Sequence, residues 1–260
     1  MSRAKQSRFE RRWQTTNRDA GFSLVEMVIA FAILTIVIGV AVNGMINMQR
    51  RNTAEAAKVD TVQETRDFID QMVRDVHDVG YPPGRVQNAN PNCANNPAVS
   101  CGLVAFSPTQ IKYEGDLDGT GTVYQIWMQL LVPPSGSCPC TLQRGVIDKA
   151  SAIAGSVPTY FTEVNGILNS GNGAGAGLYP VTLPGTGTYT AYAAADVFDA
   201  YFNDATRFVD PNGNYSCSDV LTCSSIRSLQ ITANVVPTYM DPTTKLYPVY
   251  SITSKARLNN

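Results

Sequence analysis

Histidine is almost missing from this chain: among 260 residues only His77 carries an imidazole. One such side chain cannot assemble a multi-histidine zinc centre or a two-histidine acid–base pair. Gly-x-Ser-x-Gly elbows and phosphate-binding Gly-x-x-x-x-Gly-Lys loops are absent as well, which removes the usual hydrolase and nucleotide-handling frameworks. The reading is therefore not an enzyme: no catalytic residues are assigned and no cofactor is expected, apart from the calcium considered below. Proline is missing from Asn43 to Val79, so nothing there interrupts a helix. Positive charge is scarce beyond the first 21 residues, and only one apolar run is long enough to cross a bilayer.

That run is bordered by an uneven distribution of charge. Met1–Gly21 holds Arg3, Lys5, Arg8, Arg11, Arg12 and Arg18 against Glu10 and Asp19, a formal balance of +4. Of the chain's 20 basic and 21 acidic residues, 14 and 19 remain beyond Gly21, a balance of −5. No nucleic acid is expected as a partner of so acidic a remainder; protein partners are. A basic leader stays on the cytoplasmic side of a membrane, and Phe22–Val42 has the roughly 20 apolar residues that a spanning helix needs. Glu26 is the single break in it. An ordinary secretory leader has its small-residue cleavage site after the apolar stretch; here Gly21 comes before it. Cleavage after Gly21 would discard the basic leader and retain the apolar helix, with Glu26 near its new end. A carboxylate in hydrocarbon costs about 3 kcal/mol and usually marks function.

The junction Gly21-Phe22-Ser23-Leu24-Val25-Glu26 resembles the prepilin-type N-terminal cleavage and methylation signature of the type IV pilin-like family. The resemblance implies that a prepilin peptidase cuts between Gly21 and Phe22 and methylates the freed amine of Phe22. It implies that Glu26 then neutralises that amine on a neighbouring subunit during assembly. Further along, Ile111-Lys112-Tyr113, Asp116-Leu117-Asp118-Gly119, Val123-Tyr124-Gln125-Ile126, Leu142-Gln143-Arg144 and the closing Ala256-Arg257-Leu258-Asn259-Asn260 are similar to the PilW-like minor pilins and the J-type pseudopilins of type II secretion. The resemblance implies a structural minor pilin that takes part in filament initiation or a tip complex. A type II secretion pseudopilin is the alternative, and a membrane-anchored adhesion or binding module is a third. Implied partners are other pilin or pseudopilin subunits, the prepilin peptidase, the inner-membrane assembly platform and membrane lipid. The implied location is the inner membrane, crossed once with the C-terminal domain in the periplasm, and then a pilus at the cell surface or a periplasmic pseudopilus.

Beyond the apolar run, Val59, Val62, Ile69, Met72, Val73 and Val76 recur at three- and four-residue steps, one face of a continuing helix. Glu64, Asp67, Asp70, Arg74, Asp75 and Asp78 are expected on its solvated face, with His77 exposed beside Asp78 and Asp75. Gly80 and Pro82-Pro83 provide the stop. Phe22–Val79 thus reads as one helix of about 87 Å at 1.5 Å per residue, softened at Gly39 and Gly44. Strands are expected at Leu103–Phe106, Gln110–Tyr113, Thr122–Val132, Ser228–Val236 and Tyr247–Leu258, with Thr122–Val132 central. The expected fold class is α+β, a long N-terminal transmembrane and stalk helix packed on an antiparallel sheet. The expected divisions are a removed leader 1–21, a membrane part 22–42, an amphipathic stalk 43–80 and a β-rich extracytoplasmic domain 81–260. Residues Gly166–Ala195, nearly uncharged and rich in Gly, Ala, Thr and Tyr, read as a long surface insertion.

All six cysteines, Cys93, Cys101, Cys138, Cys140, Cys217 and Cys223, follow the apolar run, in a compartment that permits disulfides. Sequence leaves their connectivity open. Proximity suggests Cys93 with Cys101 and Cys217 with Cys223. Cys138-Pro139-Cys140 lacks the spacing of redox or zinc motifs and reads as a structural crosslink. Asp116 and Asp118 alternate with glycines as calcium ligands do, but no acid stands at the next alternate residue and Trp127 holds the position of the bidentate glutamate. A strand-joining turn accounts for Asp-Gly equally well.

Overall fold

The computed structural model describes residues 23–80 and 91–258. The expected leader, the expected cleavage pair Gly21 and Phe22, the Pro82-Pro83 stop and the last two asparagines lie outside the described residues. The chain divides between Met48 and Gln49 into two compact units.

In the first unit, helix α1 (Leu24–His77) starts beneath Ser23, whose carbonyl accepts from the Met27 amide at 3.1 Å. From Leu24 to Met48 its large apolar side chains are all exposed, among them Ile29, Phe31, Leu34, Ile38 and Val42. A helix that is apolar all round needs an apolar surrounding, either other helices or lipid. Among the described residues this is the one helix long and apolar enough to span a membrane. It continues without a break through Gly39 and Gly44, where an added Cβ would meet nothing within 4 Å.

In the second unit the rest of α1 is amphipathic. Phe68, Ile69, Met72 and Val76 are buried at three- and four-residue steps against one face of an eight-stranded sheet. The strands are β1 (Leu103–Ser107), β2 (Gln110–Gly115), β3 (Tyr124–Leu131), β4 (Cys140–Asp148), β5 (Tyr160–Ile167), β6 (Phe198–Tyr201), β7 (Ser228–Val235) and β8 (Tyr250–Arg257). Every pairing is antiparallel. The order is β1-β2-β3-β4-β5-β7-β6, with β8 also on β7, so β4 rather than the expected β3 occupies the middle. β5 touches β7 through Ile167 and Val235 alone, while β6 pairs with Ser228–Ile231. The sheet forks there.

Ile111, Tyr113, Ile126, Met128 and Leu142 supply the helix-facing core, and all but Tyr113, which is followed by buried Glu114, alternate with more exposed neighbours as the strand pleat demands. Short helices α2 (Lys149–Ile153), α3 (Thr186–Ala193) and α4 (Val220–Cys223) fill the connections. Segment 166–195 is not a surface insertion throughout. Ile167, Leu168, Asn169, Ser170, Val181 and Tyr189 are buried in it, and α3 lies within it. Its small residues permit close backbone approach: at Gly166, with φ +76°, an added Cβ would come within 2.3 Å of the Val236 carbonyl.

Candidate functional site

Two of the three residues of the assembly signature, Gly21 and Phe22, fall outside the described residues. The third, Glu26, lies in the first turn of α1 and is exposed. Its neighbours Leu24, Val25, Met27 and Val28 are exposed as well, so a single acid projects from an otherwise apolar rod. The first turn is where helix amide groups lack intrahelical partners, and a negative charge there is favoured by about 0.3–1 kcal/mol. That gain is smaller than the cost of placing the carboxylate in hydrocarbon.

Elsewhere the polar chemistry of the domain is internal. Asp75, expected on the solvated side of the stalk, is 5% exposed and faces the sheet. Its Oδ2 accepts from Arg144 Nη2 at 2.7 Å and Nε at 3.1 Å on β4, and from the Tyr113 hydroxyl at 3.2 Å on β2. Gln71 Nε2 donates to its Oδ1 at 2.6 Å. The correction has a local reason: Asp75 comes three residues after buried Met72 and immediately before buried Val76, within the face that the sheet covers. His77, in contrast, is exposed. Burial raises the Tyr113 hydroxyl well above its ordinary pKa, and the Asp75 carboxylate raises it further.

A second ion pair was not foreseen. Lys149, at the start of α2, and Glu114, at the end of β2, are 0% and 1% exposed and meet at 2.6 Å. Lys149 Nζ also donates to the carbonyls of Cys93 and Val99 at 2.9 and 2.7 Å, and approaches Cys101 Sγ at 3.4 Å. Glu114 accepts from the Cys101 amide at 2.7 Å and from Gln125 Nε2 at 2.8 Å. The pair therefore fastens the Cys93–Cys101 loop to β2. Disulfides join Cys93 to Cys101, Cys138 to Cys140, and Cys217 to Cys223. A third charged group centres on Arg207, which pairs with Asp196 and, at 2.6 Å, with Asp199, while lying 4.5 Å from the Tyr215 ring.

Asp116 and Asp118 occupy the turn between β2 and β3. Asp118 accepts from the Thr120 amide and hydroxyl and from the Tyr124 hydroxyl, while Asp116 accepts from the Gly121 amide. The Thr120 bonds are the main cause of an Asp118 pKa lowered to about 2. Both carboxylates are thus engaged in closing the turn. Among the described residues, no group of three or more His, Cys, Asp or Glu side chains is arranged to hold a metal ion.

No curated protein and no solved structure matches the chain. Residues 16–42 match the family described as the prokaryotic N-terminal methylation motif, a span that takes in Gly21, Phe22, Glu26 and the exposed apolar stretch of α1. The chain thus carries a type IV pilin-like prepilin signature on a long helix followed by an antiparallel sheet, an α+β arrangement consistent with a pilin-like fold.

Proposed function

We propose that this chain is a minor pilin, a low-copy structural subunit of a type IV pilus that takes part in filament initiation or the tip complex. Removal of residues 1–21 by a prepilin peptidase frees the Phe22 amine for methylation and leaves the apolar helix in the inner membrane, with the β-rich domain in the periplasm. The subunit then leaves the membrane by packing its helix among those of other subunits, driven by the assembly platform. The observation that carries this reading is the coincidence of the methylation motif with an exposed apolar stretch of α1, Leu24–Met48, whose lone acid lies in the first turn. Paired with a neighbour's N-terminal ammonium, Glu26 no longer bears an uncompensated charge in an apolar environment. The domain's polar groups hold its own elements together, and the function supported is assembly rather than catalysis. The same features suit a type II secretion pseudopilin, and the short segments similar to PilW-like minor pilins and J-type pseudopilins accord with either reading.

The test is a pair of variants in the native host. Gly21→Leu is expected to leave an uncleaved membrane precursor. Glu26→Ala is expected to be cleaved normally yet be absent from sheared surface fibres. Normal incorporation of the Glu26→Ala chain would overturn the role given to the carboxylate. Recovery of the wild-type chain only in the envelope, with exported proteins trapped behind it, would favour the pseudopilin.

A further inference from the structure

The second unit is acidic on balance, yet one hollow in it has cations as its only charged lining. Arg227, Lys255 and Arg257 border a cavity of about 410 Å³ together with Ser228, Asn203 and Phe202. Strand register brings them together: Arg257 of β8 stands opposite Ser228 of β7, which stands opposite Tyr201 of β6. Lys255, two residues before Arg257, shares its face of the pleat and lies 4.0 Å from the Tyr201 ring. Arg227 enters from the residue before β7, its Nη1 donating to the Ser224 and Ile226 carbonyls at 2.6 and 3.3 Å. Among the described residues none of the three cations is in an ion pair with a carboxylate. The nearby acids are committed elsewhere, Asp204 to the amide and hydroxyl of Thr206 and Asp199 to Arg207.

We propose that this hollow is a binding site for a phosphate-bearing small molecule of sugar-phosphate size. Two guanidinium groups and an ammonium that meet no carboxylate among the described residues match an oxyanion, and arginine forks grip tetrahedral oxyanions in bidentate fashion. The cavity exceeds what a bare phosphate fills and falls in the range of roughly 300–1,000 Å³ typical of small-molecule sites. Asn203 and Ser228 offer polar atoms for hydroxyl groups, and Phe202 a ring face for an apolar flank. A long polyanion suits the site less well, because three cations are few for nucleic acid and the acidic remainder of the chain repels it.

The test is calorimetric titration of the full chain in neutral detergent with glucose 6-phosphate, inorganic pyrophosphate, glucose and a mixed-sequence single-stranded oligonucleotide. Glucose 6-phosphate and pyrophosphate are expected to bind and glucose to give no heat. Joint Lys255→Gln and Arg257→Gln substitution should weaken both at least tenfold with the thermal melt unchanged, and Arg227→Lys should weaken them less. Arg66→Gln, on the stalk, should change neither. Failure of both phosphates to bind at millimolar concentration, or equal affinity in the double variant, overturns the site. Oligonucleotide binding that glucose 6-phosphate does not displace overturns the ligand class in favour of nucleic acid. Because the site shares no residue with the N-terminal signature, neither result bears on the proposed role in assembly.

Discussion

Replacing Glu114 by Ala leaves the Lys149 ammonium buried with two carbonyls and no counter-charge. Breaking a buried pair by removing one partner costs about 3–5 kcal/mol, because the remaining charge stays desolvated. For a domain of this size each kcal/mol shifts the melting midpoint by about 2–4 °C, so a fall of roughly 6–20 °C is expected. The Cys101 amide and Gln125 Nε2, which also donate to Glu114, lose an acceptor at the same time, which places the cost toward the upper end. Urea denaturation of the oxidised protein, compared with the joint Glu114→Leu and Lys149→Met variant, separates charge from packing. The joint variant should recover much of the loss, since apolar replacement of a buried pair is often close to neutral. A cost below about 1 kcal/mol for Glu114→Ala, set against the range for unpaired buried charge, would refute the reasoning; so would a joint variant as unstable as the sum of the two single changes.

Tyr113→Phe should cost about 1 kcal/mol at neutral pH through the lost bond to Asp75. The raised Tyr113 pKa gives stability that is full below the unfolded tyrosine value and lost as pH rises through the folded one, so this variant should also resist alkaline unfolding better than the parent. Asp118 is the opposite case: its contribution is full above the ordinary value of 3.8 and lost as pH falls through about 2, and Thr120→Ala should move its titration, followed by carboxyl NMR, back toward 3.8. Gly166→Ala should destabilise the domain by about 1–3 kcal/mol in chemical denaturation, since it combines a positive φ with a backbone clash at Val236, whereas Gly39→Ala, in open space, should leave the denaturation midpoint unchanged or raise it.

Which parts of the molecule were legible in the sequence follows from how local their signals are. The helix could be read because apolar residues persist at its period and no proline interrupts it; β1, β2, β3, β7 and β8 could be read because branched and aromatic residues cluster between turn formers. β4 and β5 were passed over: Arg144 and Gly145 interrupt the first, and Glu163, Asn165 and Gly166 weaken the second. Gly145 sits there because Pro158 covers it, leaving 2.8 Å to an added Cβ, a contact that no local pattern announces. The four residues of β6 are too few for alternation to register. Asp75 was assigned to solvent because its partner, Arg144, lies 69 positions away, and Lys149 meets Glu114 across 35. Long-range charge pairing has no sequence period. The reading of 166–195 failed on composition, since Gly and Ala there serve close packing as readily as a loose loop. The N-terminal methylation motif could be read for the opposite reason, because the basic segment, Gly21, Glu26 and the apolar run are contiguous.

Removal of the basic leader to expose Phe22 is the step on which the proposed assembly depends. Mass spectrometry of the N-terminal peptide from protein extracted from native membranes tests this directly. A chain that begins at methylated Phe22 is the predicted result; a functional chain that still begins at Met1 would contradict it.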